Sequence, residues 1–270
     1  MNDSLTFADK IVLVTGASRG IGQAIALHFA HLGANLIINY LRNQSAAEQT
    51  AASIRSLGRT VVTVKAHLGT LEGLEHLFNE VERHFDGLDI LINNAASGYN
   101  RPAMEQKPKG WDWTMNINAR AALFAAQKAV PLMEKRGGGT IVNISSPGSF
   151  RVLPDYVVVG ASKAALEALT RYLAVELASK NIVVNAVAPG LVETEALKYF
   201  DAVRKEEKLL EKAATLTPAG RLVTPQDVAE VVAFLCSPSA SMIRGQTILV
   251  DGGYTLPIQT PFTSIPKNRD

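Results

Sequence analysis

The feature that most constrains the fold of this chain is an alternation of short apolar runs with longer segments of helical spacing. The runs are rich in Val and Ile and lie at 11–14, 36–38, 61–64, 90–92, 140–144, 182–187 and 247–250. Short runs of this kind are typical of parallel strands that are buried on both faces. Segments with helical spacing lie between them, at 23–32, 46–57, 71–85, 119–135 and 162–179. The alternation therefore predicts an α/β fold with a mostly seven-stranded parallel sheet.

Such a sheet is doubly wound (Rossmann), with helices on both faces, and it binds ligands outside the carboxyl ends of its strands. The chain has 270 residues, 47% of them hydrophobic and 19% charged, which is enough to bury a large core. We therefore predict a single domain over residues 1–256 and a loose C-terminal tail over 257–270. A long segment of mixed charge at about 191–222 interrupts the alternation, and we interpret it as a mobile substrate lid.

Charge and cysteine content exclude several classes of partner. The 27 basic and 25 acidic residues give a net charge of +2, too weak to indicate nucleic acid as a partner. Apolar runs are too short for a membrane-spanning helix. Cys236 stands alone and the first residues are polar, so we expect a cytoplasmic protein without a disulfide. The five histidines share no ligand spacing with cysteines or carboxylates, so we expect no metal.

A glycine-rich turn follows the first strand and opens the first helix. This context is typical of a pyrophosphate site, where the amide groups at a helix N-terminus hold the anion. The candidate cofactor-binding residues of the turn are Gly16, Ser18, Arg19, Gly20, Ile21 and Gly22.

The end of the second strand indicates which nicotinamide cofactor is used. An NAD site usually places an acidic residue there, but residues 39–42 read Asn-Tyr-Leu-Arg. Without a carboxylate, Arg42 and Arg19 can hold a 2′-phosphate, so NADPH is favoured over NADH. Tyr40 is a further candidate cofactor-binding residue. The alternative is that both arginines are solvated surface residues.

Several further motifs follow in a set order: Asn93-Asn-Ala-Ala96, Asn118, Ser145-Ser146, Lys163 and Pro189-Gly190. With the glycine-rich turn, they make the chain similar to the short-chain dehydrogenase/reductase family from about residue 10 to residue 254. The resemblance implies a set of cofactor contacts. Asn94 and Ala95 line the cofactor path, His67 and Leu68 contact the adenine through the backbone, Lys163 binds the nicotinamide ribose, and Pro189 and Gly190 flank the nicotinamide. Thr194 is a further candidate cofactor-binding residue.

The position of the tyrosine separates this chain from the ketoreductases of that family. They carry Tyr-x-x-x-Lys, but Val159 stands four residues before Lys163, and the nearest tyrosine is Tyr156. This longer spacing resembles the enoyl-[acyl-carrier-protein] reductases. The stretches 93–98, 111–118 and 166–176 look like enoyl-[acyl-carrier-protein] reductase III, the FabL type. That resemblance implies NADPH-dependent reduction of the trans-2 double bond of an enoyl thioester on acyl carrier protein, in fatty acid biosynthesis, by a homotetramer.

The chemistry of an enoyl thioester fits the shifted tyrosine. Hydride goes to C3, and negative charge develops on the thioester oxygen at C1, so the donor must stand further from the hydride path than in a ketoreductase. Seven residues of helix would put Tyr156 and Lys163 on one face, about 10 Å apart. Tyr156 would stabilise the enolate and Lys163 would hold the ribose. The source of the C2 proton stays open between Tyr156, a ribose hydroxyl and water.

Ser146 and Asn118 are two further candidate catalytic residues, and each has two possible roles. Ser146 is either a substrate donor or a structural residue, and Asn118 keeps a backbone-bonding or water-holding role. The tyrosine that the related FabI type places seventeen residues before the lysine is Ser146 here, so its role cannot be transferred.

The sequence leaves two questions open: the role of the charged residues in the lid, and the substrate. Lys198, Arg204, Lys205, Lys208 and Lys212 either steer an acidic carrier protein or form a solvated helix face balanced by Glu206, Glu207 and Glu211. The substrate alternatives are an enoyl- or dienoyl-CoA thioester and a 3-oxoacyl thioester. A non-catalytic NADPH-binding protein is the alternative from another class.

Overall fold

The computed structural model describes residues 6–194 and 209–257. Its strands are β1 (Ile11–Val14), β2 (Asn35–Tyr40), β3 (Val61–Lys65), β4 (Ile90–Asn93), β5 (Gly139–Ile144), β6 (Ile182–Pro189) and β7 (Thr247–Val250). They form one sheet of seven parallel strands in the order β3-β2-β1-β4-β5-β6-β7. The predicted doubly wound parallel sheet is confirmed.

Helices cover both faces of this sheet. In the described residues they are α1 (Gly20–His31), α2 (Gln44–Ser56), α3 (Leu71–His84), α4 (Pro108–Met115), α5 (Ala121–Lys135), α6 (Val157–Glu176), α7 (Leu209–Leu216) and α8 (Pro225–Leu235). Val12 and Val14 of β1 belong to one buried cluster, with α1 and α8, while Leu13 belongs to a second cluster with α3 and α5. Because successive strand side chains point to opposite faces, the two clusters are the two sides of the sheet.

The largest difference from the predicted elements is the start of α6, at Val157 instead of residue 162. The added turn contains three valines and a glycine, which have low intrinsic helix propensity. Val158, Val159 and Gly160 are all buried in this turn. Tertiary packing therefore overrides local propensity here and brings the helix up to Tyr156.

Three helices, α4, α7 and α8, were missed by the periodicity argument, although the N-termini of α4 and α8 carry local signals. Pro108 and Pro225 each occupy the first turn of a helix, where a missing N–H costs nothing. Thr224 and Asp227 form a reciprocal capping box at the start of α8.

The strand order reverses at β1, which pairs with β2 on one side and β4 on the other. Ligands of such sheets bind at this reversal, outside the carboxyl ends of the strands. Of the proposed lid, residues 195–208 lie outside the described residues, as do the tail residues 258–270. The two described flanks of the lid meet in a bridge between Val192 and Val223. Throughout the described ranges, no helix is long and apolar enough to cross a membrane.

Candidate active site

The glycine-rich turn is fastened to the end of β4 by the side chains of Thr15 and Asn94. Thr15 Oγ1 donates to the carbonyl of Ile92 at 3.1 Å and accepts the N–H groups of Asn94 and Ala95, both at 2.9 Å. Asn94 Nδ2 donates to the carbonyls of Thr15 and Gly16, at 2.8 and 3.1 Å. The two loops that were predicted to line the cofactor path therefore form one rigid unit.

The rest of the predicted phosphate site lies at the start of α1. Ser18 and Arg19 precede the helix, and residues 20–22 are its first turn. Arg19 is the N-cap residue, and its side chain makes no capping hydrogen bond to the helix. The Arg19 side chain therefore does not accept a hydrogen bond from the first N–H groups of α1. These N–H groups can bind an anionic ligand instead.

Asn39 is turned into the sheet and away from the cofactor cleft. Its side chain is 2% exposed. Asn39 Oδ1 accepts the N–H of Gly16 at 3.3 Å, and Nδ2 donates to the carbonyls of Tyr40, Val64 and Ala66 at 3.1 to 3.3 Å. The residues left to meet a ribose at the end of β2 are Tyr40, which is buried, and Arg42, which is exposed.

His67 and Leu68 follow β3 on the side predicted to contact adenine. The His67 ring packs edge-on against Trp113, with ring centroids 4.9 Å apart. Trp113 Nε1 in turn donates to Ser97 Oγ at 2.8 Å. The wall of the predicted adenine site is therefore connected to the loop after β4.

Asn118 occupies a π-helical turn, Asn116–Arg120, between α4 and α5. Its Oδ1 accepts the N–H of Ser97 at 2.8 Å, and its Nδ2 donates to the Ser97 carbonyl and to Ser162 Oγ, each at 2.9 Å. The widened turn lets the amide reach both the β4 loop and α6. This geometry is the backbone-bonding arrangement named as one of the two roles of Asn118.

Lys163 lies inside α6 and is 5% exposed. Its Nζ donates to the carbonyl of Ile144, the last residue of β5, at 2.6 Å. Burial lowers the pKa of this lysine to about 8, although the charge of Glu167 acts in the opposite direction. An ammonium group has three N–H donors, so two remain for other partners.

Tyr156 is the N-cap residue of α6, with its ring against the loop that follows β5. A Cβ placed on Gly148 would lie 2.6 Å from Tyr156 Cε1, so the absent side chain at residue 148 makes room for the ring. Burial raises the pKa of the Tyr156 phenol, and a hydrogen bond with Ser146 opposes that rise. The structure thus places Tyr156 beside Ser146, with Lys163 seven residues further along α6.

Pro189 is the last residue of β6, and Gly190 follows it. Thr194 lies beside the glycine-rich turn, since a Cβ on Gly20 would be 3.6 Å from Thr194 Cγ2. The residues predicted to flank the nicotinamide therefore lie at the same end of the sheet as the phosphate turn.

A small cavity of about 10 Å³ separates the turn from α6. Thr15, Asn93, Asn118 and Lys163 contribute its polar lining. This volume is about that needed for one water molecule. The cavity therefore suits the water-holding role that was the second possibility for Asn118.

Sequence reasoning missed Glu167, one helical turn after Lys163. Its Oε1 accepts the hydroxyls of Ser145 and Ser149, at 2.5 and 2.6 Å. The only sequence signal was an acidic residue four positions from the lysine, which on a helix is an ordinary surface pattern. Its importance depends on the β5 loop packing against it.

A family model described as "Enoyl-(Acyl carrier protein) reductase" matches residues 16–255. The 1-cyclohexenylcarbonyl-CoA reductase of Streptomyces collinus is 38% identical over 253 residues, 94% of this chain and 89% of that protein. The chain belongs to the short-chain dehydrogenase/reductase family. It is an oxidoreductase of that family, whose members use nicotinamide cofactors.

Solved structures of similar proteins match nearly the whole fold. L-Sorbose reductase from Gluconobacter frateurii, in complex with NADPH and L-sorbose, has a TM-score of 0.87 and 31% identity, covering 94% of this chain and 99% of that chain. A 7α-hydroxysteroid dehydrogenase in complex with NADH has a TM-score of 0.88 and 34% identity, covering 94% and 97%. One of these structures contains NADPH and the other NADH, and their substrates differ. The cofactor and substrate of this chain must therefore be argued from its own residues.

Proposed function

We propose that this protein is an NADPH-dependent enoyl-[acyl-carrier-protein] reductase of the FabL type, which reduces the trans-2 double bond of enoyl thioesters in fatty acid elongation. The observation that carries the proposal is the place of the phenol. Tyr156 stands at the N-terminus of α6, beside Ser146, and Lys163 lies seven residues further along the same helix. At the ketoreductase position, Val159 is buried and offers no donor.

NADPH fits the residues at the cofactor end of the site. The N-terminus of α1 has no side-chain cap, as the pyrophosphate of such a cofactor requires. Arg19 and Arg42 are the candidates for the 2′-phosphate, since Asn39 is turned inward and no carboxylate stands at residues 39–42. When bound, NADPH supplies the hydride that reaches C3 of the substrate.

The protein's own groups act on the oxygen and on the ribose. Tyr156 keeps its proton at neutral pH, because burial raises its pKa above that of a free phenol. It can therefore donate a hydrogen bond to the thioester oxygen while Ser146 donates to the tyrosine oxygen. This arrangement stabilises the developing enolate, which is then protonated at C2. Lys163 uses the N–H groups not bonded to Ile144 to hold the ribose hydroxyls.

A CoA thioester is the second candidate substrate, because one similar protein is named for such a reaction. The name 1-cyclohexenylcarbonyl-CoA reductase denotes an unsaturated acyl-CoA. Both candidates require the same tyrosine and lysine, and they differ only in the carrier. Acyl carrier protein as the partner and the cytoplasm as the compartment are part of our proposal.

The test is an assay of NADPH oxidation at 340 nm with crotonyl-carrier, crotonyl-CoA and acetoacetyl thioesters. We expect turnover of the two crotonyl substrates, the carrier form best, and little with the ketone. Tyr156→Phe should lower kcat roughly a hundredfold to a thousandfold, the usual loss for one oxyanion donor, with little change in NADPH affinity. Near wild-type turnover of Tyr156→Phe, with a deuteride isotope effect showing that chemistry limits the rate, would reject the role of Tyr156.

A further inference from the structure

Glu167 joins the helix that carries Lys163 to the loop that carries Ser146. Lys163 and Glu167 are four residues apart on α6, so their side chains lie on one face of the helix. The two serines that donate to Glu167 Oε1, Ser145 and Ser149, lie on either side of Ser146 in the chain. Neither serine is needed for the proposed mechanism.

These contacts fix the loop on both sides of the Ser146 hydroxyl. Residues Pro147–Ser149 form a short 3-10 turn, and Ser146 Oγ accepts the N–H of Gly148 at 3.2 Å. The same turn supports the Tyr156 ring at Gly148. A change at Glu167 should therefore move Ser146 and Tyr156 together, although Glu167 is bonded to neither of them in the described contacts.

Glu167 also provides the negative charge felt by the buried Lys163. The ammonium donates to the Ile144 carbonyl of β5, and the polar side chains that line the small cavity together with Lys163, those of Thr15, Asn93 and Asn118, are uncharged. Tyr156, at the N-terminus of the same helix, has a pKa raised by burial and is neutral. Within the described ranges, Glu167 is the one charge that shifts the pKa of Lys163, and it shifts it upward.

We propose that Glu167 is a positioning residue with two separable effects: it holds the 145–149 loop in place through two serine hydroxyls, and it puts a negative charge on the helix face that carries Lys163, four residues away. This inference rests on the assignment of Tyr156 and Lys163 as the working pair of a reductase. It does not depend on whether the substrate is an enoyl-carrier or an enoyl-CoA thioester.

Two substitutions separate the two effects. Glu167→Gln keeps an oxygen that can accept from both serines but removes the charge. Ser149→Ala keeps the charge but removes one of the two donors. Glu176→Gln, an exposed position about 20 Å further along α6 than Lys163, is the matched control for loss of one acidic residue from this helix. Circular dichroism and melting temperature show whether each variant is folded.

The first readout is the NADPH dissociation constant as a function of pH, measured by the change in cofactor fluorescence without substrate. The dissociation constant should rise at high pH as Lys163 loses its proton, and we call this rise the alkaline limb. In Glu167→Gln, loss of the neighbouring charge should move the alkaline limb to lower pH by about half a unit to one unit. Ser149→Ala and Glu176→Gln should keep the wild-type limb. An alkaline limb that is the same in Glu167→Gln and wild type refutes the electrostatic effect.

The second readout is kcat at pH 6.5, below the alkaline limb, where Lys163 is charged in every variant. Ser149→Ala should lose roughly tenfold and Glu167→Ala roughly a hundredfold, as expected for a displaced catalytic group, while Glu167→Gln stays close to wild type. Wild-type kcat in both alanine variants refutes the positioning effect. If the wild-type protein reduces no enoyl thioester, the proposed function fails, but the pH dependence of NADPH binding still tests Glu167.

Discussion

The buried ammonium of Lys163 should make the stability of the protein depend on pH in a way that one substitution can isolate. We consider Lys163→Met, which keeps a long side chain in the same space and removes the titrating group. Burial lowers the pKa of Lys163 from 10.5 in the unfolded chain to about 8 in the folded protein. Between these two values, the unfolded chain binds more protons than the folded protein. The free energy of unfolding should therefore rise with pH in this range.

The magnitude follows from the size of the shift. Each pKa unit corresponds to about 1.4 kcal/mol, so the full difference of roughly 2.5 units, from 10.5 to about 8, is about 3 kcal/mol. Between pH 7 and pH 9.5, about 2 kcal/mol of this difference should become visible. The destabilisation of the folded protein by its buried ammonium is fully present below pH 8, and it disappears as the pH approaches the pKa that Lys163 has in the unfolded chain.

The measurement is urea denaturation of wild type and Lys163→Met from pH 7 to pH 9.5, at a fixed protomer concentration because subunit association would add to stability. The quantity of interest is the difference in free energy of unfolding between the two proteins, since other titrating groups cancel. Between pH 7 and pH 9.5, we expect the free energy of unfolding of wild type to increase by about 2 kcal/mol relative to that of Lys163→Met. A difference that stays constant within about 0.5 kcal/mol would show that Lys163 titrates as an ordinary lysine.

Two further predictions concern the cofactor and the assembly. Arg42→Asp should reverse or abolish the preference for NADPH, because a carboxylate repels the 2′-phosphate and binds the ribose hydroxyls of NADH; equal kcat/KM of the wild type for NADPH and NADH would contradict the cofactor assignment. The family resemblance predicts a homotetramer, and Tyr172 and Val175 of α6, which are 69% and 79% exposed, are apolar surface that a second subunit could cover; a monomeric mass in light scattering at micromolar concentration would contradict this.

The fold could be predicted from the sequence because its strongest signal is repeated. Each of the seven Val- and Ile-rich runs is a strand, and β1 and β7 have the predicted bounds. The helices were harder, because their limits depend on packing as well as periodicity. The first turn of α6 has a poor local propensity for helix and exists because its valines are buried.

Candidate site residues could be proposed from the sequence where they belong to short motifs. Contacts between elements that are distant in sequence could not be predicted. The glycine-rich turn, Ser146, Tyr156 and Lys163 were all proposed as site residues from motifs and spacing. Glu167 was missed because its partners are serines on the loop after β5, 18 to 22 residues away in sequence. The inward orientation of Asn39 was also not predictable, since it depends on carbonyl groups of β3 and the turn after it.

Restoring a tyrosine at residue 159 should not make this protein a ketoreductase, because the space at that position is already filled. Val159 is 7% exposed. A Cβ on Gly98 would overlap its Cγ2, so the loop after β4 passes directly against the valine. That loop cannot easily retreat, since Asn118 holds Ser97 by both its N–H and its carbonyl.

Val159→Tyr must therefore displace either the loop or its own ring. Overpacking of this kind costs about 1–3 kcal/mol. We expect a lower free energy of unfolding and no strong reduction of acetoacetyl thioesters. Val157→Tyr, two residues earlier at the first position of α6 and 44% exposed, is the control and should change stability by less than about 0.5 kcal/mol. A Val159→Tyr protein with wild-type stability and efficient ketone reduction would show that the phenol position alone, without the shape of the surrounding loop, selects the reaction.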